Sequence, residues 1–222
     1  MSLPEHVPDH RCGPIRWTWR PHPRGEPAER IAWHWLAPRI PRSAAAPSSE
    51  PRPAAAPAGS GPALSRNAHG RPLIESDGGR HDASWSHSGD ILLIALGEGV
   101  DVGVDVEFVK PRARALELAA RYFTPAETAW LATRPASTRD AAFTRLWCAK
   151  EAVLKAHGRG LAFGLHRLAF VERDGALILT STAPELGPPD AWSLHEFAPL
   201  PGYGAALAWR RRDGAGVRPT DT

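Results

Sequence analysis

Asp105 and Glu107 stand two residues apart in the run Val102-Gly103-Val104-Asp105-Val106-Glu107. Val100, Val102, Val104 and Val106 alternate there with Asp101, Gly103, Asp105 and Glu107. Period 2 predicts a strand with both acids on one face and the valines turned to the core. Neighbouring carboxylates repel unless a cation lies between them. Hard oxygen ligands suit Mg²⁺, which completes its shell with water and phosphate oxygens. The same pair would also sit on a solvated strand face. Glu151 and Lys155 lie four residues apart in a segment patterned as a helix. At about 100° per residue, Phe143, Leu146, Trp147 and Leu154 share an apolar arc with Val153 at its edge. Glu151 falls just past the Trp147 edge with Lys155 beside it. The two read as a surface i, i+4 pair or as groups where a core face meets a cleft. Lys150 projects from the middle of the arc. A buried ammonium is costly unless paired, so its stem snorkels or its amine meets an anion beneath the helix. His87 lies among Ser84, Ser86 and Ser88, short donors suited to phosphate, in a segment read as a loop.

These groups need elements to hold them. Residues 91–96 form an apolar run read as a buried strand. With the turn Gly97-Glu98-Gly99 they predict a hairpin with 100–107. Ile15, Trp17 and Trp19 alternate with polar residues as a strand, and 28–36 reads as a short helix. Residues 40–64 are dominated by Pro, Ala, Ser and Arg, without period, and read as a loop. Helices are predicted over 112–122, from the capping box Thr124-Pro125-Ala126-Glu127, and over 139–157 with Gly158 as C-cap. Asp174-Gly175 joins two strands, 168–171 and 176–180, in a hairpin. Residues 203–209 close as a strand. The fold class is α+β, mostly antiparallel.

Composition narrows the class. The chain has 222 residues, 42% of them hydrophobic, with 27 Lys+Arg against 24 Asp+Glu. A formal charge of +3 is too weak to argue for nucleic acid but fits an anionic ligand or an acidic partner. Cys12 and Cys148 form no C-x-x-C pair, so neither a zinc cage nor a disulfide framework is read. The first residues lack the apolar run of a secretory signal, and 91–96 is far short of a membrane span. The expectation is a soluble, cytoplasmic protein.

Together these residues resemble the 4′-phosphopantetheinyl transferase superfamily. Its signature is a strand reading G-[IV]-D-x-E followed by W/F-x-x-K-E-x-x-x-K on a helix. Here it stands as Gly103-Val104-Asp105-Val106-Glu107 and Trp147-Cys148-Ala149-Lys150-Glu151-Ala152-Val153-Leu154-Lys155. Gly70-Arg71-Pro72 resembles the family's G-K-P element and Ser86-His87-Ser88 its S-H-S element, in the expected order. The length is similar to the larger surfactin-type enzymes, and the Trp-Lys-Glu-Ala form to one subgroup of them. The resemblance implies a pseudo-dimer of two similar halves. One half spans 1–100 and contains the 40–64 loop. The other, 101–222, carries both motifs, and coenzyme A lies between the halves in a monomer. It implies transfer of the phosphopantetheine arm of coenzyme A to a serine of an apo acyl or peptidyl carrier protein. Adenosine 3′,5′-bisphosphate leaves, and neither nucleic acid nor membrane takes part. Asp105, Glu107 and Glu151 would hold Mg²⁺ on the pyrophosphate. Glu151, directly or through water, would also be the base for the serine. Lys155 would neutralise the phosphate, Lys150 would support it, and His87 would contact the 3′-phosphate with Arg71 and Ser86 nearby. Two departures stand out. Ser84 occupies a position where the family often has Asn, and 40–64 replaces the region that supplies basic residues, leaving Arg39, Arg42 and Arg66.

Two other classes compete. A Mg²⁺-dependent nuclease also uses strand acids near an E-x-K-like cluster, but it leaves the S-H-S and G-R-P blocks without a role. A non-catalytic coenzyme A or carrier-binding module would not need all three acids and both lysines.

Overall fold

Turn and cap chemistry decides where the elements begin and end. The computed structural model describes residues 7–41, 62–75 and 80–212. Its elements run β1 (His10–Cys12), β2 (Ile15–Pro21), α1 (Ala28–Leu36), β3 (Ala63–Arg66), β4 (Pro72–Glu75), β5 (His81–Ser88), β6 (Ile91–Glu98) and β7 (Val100–Phe108). They continue with α2 (Ala115–Tyr122), α3 (Pro125–Ala132), α4 (Ala136–His157), β8 (Leu168–Arg173), β9 (Ala176–Thr182), β10 (Trp192–Phe197) and β11 (Tyr203–Arg211). Thr124 and Glu127 close a full capping box on α3. Gly158, at φ 101°, ends α4 with its N–H on the Leu154 carbonyl. Asp174 and Gly175, at φ 51° and 81°, turn β8 back onto β9 as the two-residue hairpin requires. Among the described residues no helix is long and apolar enough to cross a membrane.

Every strand pair is antiparallel, and the connectivity repeats. The first sheet has the order β1-β2-β6-β5 and the second β10-β11-β7. In each, a first strand (β2, β7) pairs with the last (β6, β11), which pairs with the one before it (β5, β10). A helical segment and a separate hairpin, β3–β4 or β8–β9, fall between. The fold is therefore α+β with two topologically similar halves. Ile15, Trp17 and Trp19 of β2, Ile91, Leu93 and Ala95 of β6, and the four valines of β7 form one core between the sheets. α1 covers the outer face of the first sheet through Trp35 and Leu36. α2, α3 and α4 build a third core on the second. Each fully buried aliphatic side chain contributes roughly 1.5–3 kcal/mol.

The structure revises several expectations. β6 and β7 do not form a hairpin. Both edges of β6 are already filled by β2 and β5, so the chain turns at Gly99 (φ 69°) into the other sheet, where β7 pairs with β11. The Ser86-His87-Ser88 segment lies on strand β5 rather than in a loop. The acid face of β7 is packed against α4 rather than solvated. Of the loop expected over 40–64, residues 42–61 lie outside the described residues, and Ala63 and Leu64 begin β3. β10, β1 and β4 were not foreseen.

The edges of the two sheets meet along β5 and β7, which run side by side in the same direction. Here side chains replace a backbone ladder. Val102 N–H donates to Asp82 Oδ2 (2.8 Å), Val104 N–H to Ser84 Oγ (3.1 Å) and Phe108 N–H to Ser88 Oγ (3.0 Å). An edge strand left bare would expose these donors. On the outer face α4 comes so close that a Cβ at Gly103 would lie 1.9 Å from the Ala152 carbonyl oxygen and 2.4 Å from Ala156 N. Both obstacles are backbone and cannot swing aside. Gly103→Ala is expected to lower stability by on the order of 2 kcal/mol, as overpacking of a fixed interface does. Urea denaturation checks this, and an unchanged midpoint would show that α4 does not rest on β7 at this point.

Candidate active site

The site is built where α4 crosses the acid face of β7. Gly103 lets the helix approach, which brings Glu151 and Lys155 over the strand that carries Asp105 and Glu107. Lys155 Nζ donates to Asp105 Oδ1 (2.7 Å) and to the Val104 carbonyl (3.2 Å). Ser86 Oγ donates to the same Asp105 oxygen at 2.7 Å. Ser88 Oγ donates to Glu107 Oε2 at 2.8 Å. Asp105 is 4% exposed and Glu151 5%. Asp105 Oδ2 and Glu151 Oε1 are buried without a hydrogen-bond partner, a condition that normally calls for an explanation. Burial pushes the Glu151 carboxyl up to about 7. Asp105 and, more weakly, Glu107 push it the same way, and Lys155 opposes them.

The donor set is three carboxylates with two orphaned oxygens, which fits a hard cation such as Mg²⁺. Among the described residues, no three His, Cys, Asp or Glu side chains are grouped so as to hold a metal ion. The Lys155 ammonium supplies the positive charge on Asp105 in this arrangement.

Beside the acids a cleft opens between the halves, lined by Arg66, Arg71, Ser84, Trp85, Lys155 and Gly158 among others. The Arg66 guanidinium lies 5.5 Å over the Trp85 ring. His87 is exposed and packs on His22, with ring centroids 4.7 Å apart. Partial burial lowers its pKa, and His22 and Lys155 add to this against the opposing Glu107.

Three of the residues expected at the site have other duties. Of the two readings of Lys150, the amine meeting an anion beneath the helix holds, but that anion is Glu127 rather than a phosphate, and the side chain is 0% exposed. It donates to the carbonyls of Leu165 (2.9 Å) and Leu168 (2.5 Å) and pairs with Glu127 Oε2 at 2.8 Å. Burial lowers its pKa and the Glu127 charge opposes the shift. Glu127 also accepts from Thr124 N–H and from Phe170 N–H, so the pair ties α3, α4 and β8 together. Arg71 lines the cleft, but its guanidinium is clamped between Asp82 and the Ala156 carbonyl. Ser86 holds Asp105 rather than standing free for phosphate. Cys148 is no nucleophile, because burial holds its thiol protonated against the Gly204 carbonyl.

Sequence reasoning missed Asp82 and read Ser84 and Ser88 as phosphate donors rather than as links from β5 to β7, although their period 2 with Ser86 is a legible strand signal. Glu127 was hidden by its role as a cap. His22 gave no signal.

The topological repeat does not repeat the chemistry. The face of β2 opposite its core residues carries Arg16, Thr18 and Arg20 and no carboxylate. Its outer edge is paired with β1, so no side-chain seam forms there. Among the described residues, one half alone presents an acid face to a helix.

Residues 101–208 match the family model described as the 4′-phosphopantetheinyl transferase superfamily. The chain is 36% identical over 124 residues to 4′-phosphopantetheinyl transferase HetI of Nostoc, covering 55% of this chain and 49% of that protein. It is 35% identical over 112 residues to psf-1 of Bacillus pumilus, covering 50% and 46%. With Sfp of Bacillus subtilis the identity is 32% over 102 residues, covering 46% and 44%. The chain thus spans about half the length of the curated relatives it matches. The solved holo-[acyl-carrier-protein] synthase of Thermotoga maritima aligns with TM-score 0.43 and 23% identity, covering 51% of this chain and 64% of that one.

Two outcomes follow from the charges. Lys150→Met leaves Glu127 buried beside an apolar side chain, and breaking a buried pair costs on the order of 3 kcal/mol. Chemical denaturation should show that loss, whereas a variant of parental stability would return Lys150 to the cleft. For Glu151, the folded carboxyl titrates near 7 and the unfolded one near 4.5. Stability from the protonated form is complete below pH 4.5 and is lost as pH rises through 7. At about 1.4 kcal/mol per unit, the loss by pH 8 is roughly 3 kcal/mol. With a chelator present, Glu151→Gln should therefore gain on the parent between pH 5 and 8. Parallel curves for the two proteins would contradict the shift.

Proposed function

With residues 101–208 matching the 4′-phosphopantetheinyl transferase superfamily model, we propose that the protein belongs to that family and transfers the phosphopantetheine arm of coenzyme A to a serine of an apo acyl or peptidyl carrier protein. The observation that carries this reading is the meeting of Asp105, Glu107 and Glu151 with Lys155, whose side chain also lines a cleft with basic and aromatic walls. Phosphoryl transfer is mostly positioning and charge neutralisation, and these residues supply both. Lys155 is a compact ammonium beside Asp105, able to turn from that carboxylate to a phosphate oxygen. Glu151, poised near neutrality, can take the proton from the attacking hydroxyl directly or through water. Without such a base the serine is a weak nucleophile. Asp105, Glu107 and Glu151 are the residues that would hold Mg²⁺, which when bound supplies charge neutralisation of the pyrophosphate. His87, with Arg66 in the cleft, supports binding of the 3′-phosphate. The departing group is adenosine 3′,5′-bisphosphate.

In this reading the halves 1–100 and 101–222 both contribute. β5 brings Ser86, His87 and Ser88, while β7 and α4 bring the acids and Lys155. One copy therefore carries the full set, consistent with a monomer acting in the cytoplasm without nucleic acid or membrane.

The decisive experiment incubates the full chain with coenzyme A, Mg²⁺ and a panel of apo carrier proteins, with the products read by intact mass. Addition of phosphopantetheine to at least one carrier is expected, and coenzyme A left unconsumed across the panel would overturn the proposal. Asp105→Ala, Glu107→Ala and Glu151→Ala should each abolish transfer while circular dichroism stays parental. Near-full activity in any two would remove the cation assignment. Lys155→Ala should lower kcat about a hundredfold, the usual loss of one charge-stabilising donor, with Lys155→Arg recovering only part. A raised KM for the carrier alone would place Lys155 on a docking surface instead.

A further inference from the structure

We infer that Ser86 and Ser88 are positioning residues that make the carboxylate geometry of β7 depend on the seam between the two halves. The inference rests on reading the acid face of β7 as a cation site. β5 sends four polar side chains across to β7, at positions 82, 84, 86 and 88. Two of them, Asp82 and Ser84, meet only backbone on β7. The other two meet the acids. Ser86 Oγ donates to Asp105 Oδ1 at 2.7 Å, and Lys155 donates to that same oxygen. Two donors thus fix one oxygen of Asp105 and leave Oδ2 as the buried, unpartnered one. Ser88 has a single proton and gives it to Glu107 Oε2 at 2.8 Å. Its lone pair accepts the Phe108 N–H at 3.0 Å. One hydroxyl therefore sets both the end of the strand and the rotamer of its acid.

Both serines belong to the first half and both acids to the second. A shift of the halves by one residue along the seam would exchange these hydroxyls for Trp85 or His87 on the opposite face of β5. The carboxylates would then lose their donors, and their charges would repel without restraint. Partners that orient metal-binding carboxylates typically change metal affinity 10- to 100-fold when removed. Docking of the halves and affinity for the cation are in this way one property.

Mn²⁺ is a suitable probe, followed by electron paramagnetic resonance with neither coenzyme A nor carrier present. Ser86→Ala and Ser88→Ala should each weaken Mn²⁺ binding by about 10- to 100-fold, and Ser86→Thr, which keeps the hydroxyl, should restore most of it. Ser84→Ala removes a seam bond that touches no carboxylate, and should lower the urea midpoint while Mn²⁺ affinity stays parental. The two serines act on different acids, so if one variant fails to fold the other still decides. Parental affinity in both alanine variants overturns the inference, as does an equal loss in Ser84→Ala. A parental protein that binds no Mn²⁺ overturns both this role and the cation site. The expected Mn²⁺ pattern without any transfer activity would count against the proposed reaction alone and leave the positioning role standing.

Discussion

An edge strand must satisfy its N–H groups, and the way β7 does so governs the rest of the molecule. β7 has one edge on β11 and the other beside β5. Had β5 paired by backbone, the two sheets would have fused into one, and the side chains of β5 would have pointed away from the acids. Instead Asp82, Ser84 and Ser88 accept the N–H groups of Val102, Val104 and Phe108. This keeps a wider spacing, and it lets Ser86 and Ser88 reach the carboxylates. In the first half β1 fills the matching edge of β2, and that strand carries no acid face. The asymmetry between two similar halves is thus an asymmetry in how one sheet edge is closed.

Two lysines five residues apart on α4 show how location decides a role. Lys150 is enclosed by a carboxylate and two carbonyls, so every ammonium proton is spent and the group is part of the framework. Lys155 is half-buried, one turn beyond Glu151, with Asp105 and a single carbonyl as partners. It keeps capacity for an incoming anion. A buried ion pair is costly to break, whereas a pair at a cleft edge can exchange partners at little cost.

The energetic tension of the site lies in its carboxylates. Glu151 is placed against Asp105 in a dry setting, and its charged form is disfavoured until positive charge arrives. Close packing of α4 onto Gly103 enforces that proximity, so the helix cannot retreat to relieve it. Such a site stores repulsion that binding of a cation or a shift of Lys155 can discharge.

The sequence by itself determined the elements whose signals are local. The capping box at Thr124, the Gly158 C-cap, the Asp174-Gly175 turn and the valine alternation each depend on a few neighbouring residues, and each is found in the structure. The two motif blocks likewise named Asp105, Glu107, Glu151 and Lys155 as residues to watch. Tertiary structure alone decided which strands pair, because β6 has its edges filled by segments far away in sequence and β7 must seek β11. It also decided the fate of Lys150, since the apolar arc shows that position 150 is buried but not that Glu127 waits there. The serine seam was hidden for the same reason. The hydroxyls at 84, 86 and 88 read as a loop of phosphate donors, and only the contact with a second strand some twenty positions on turns them into donors and acceptors for β7.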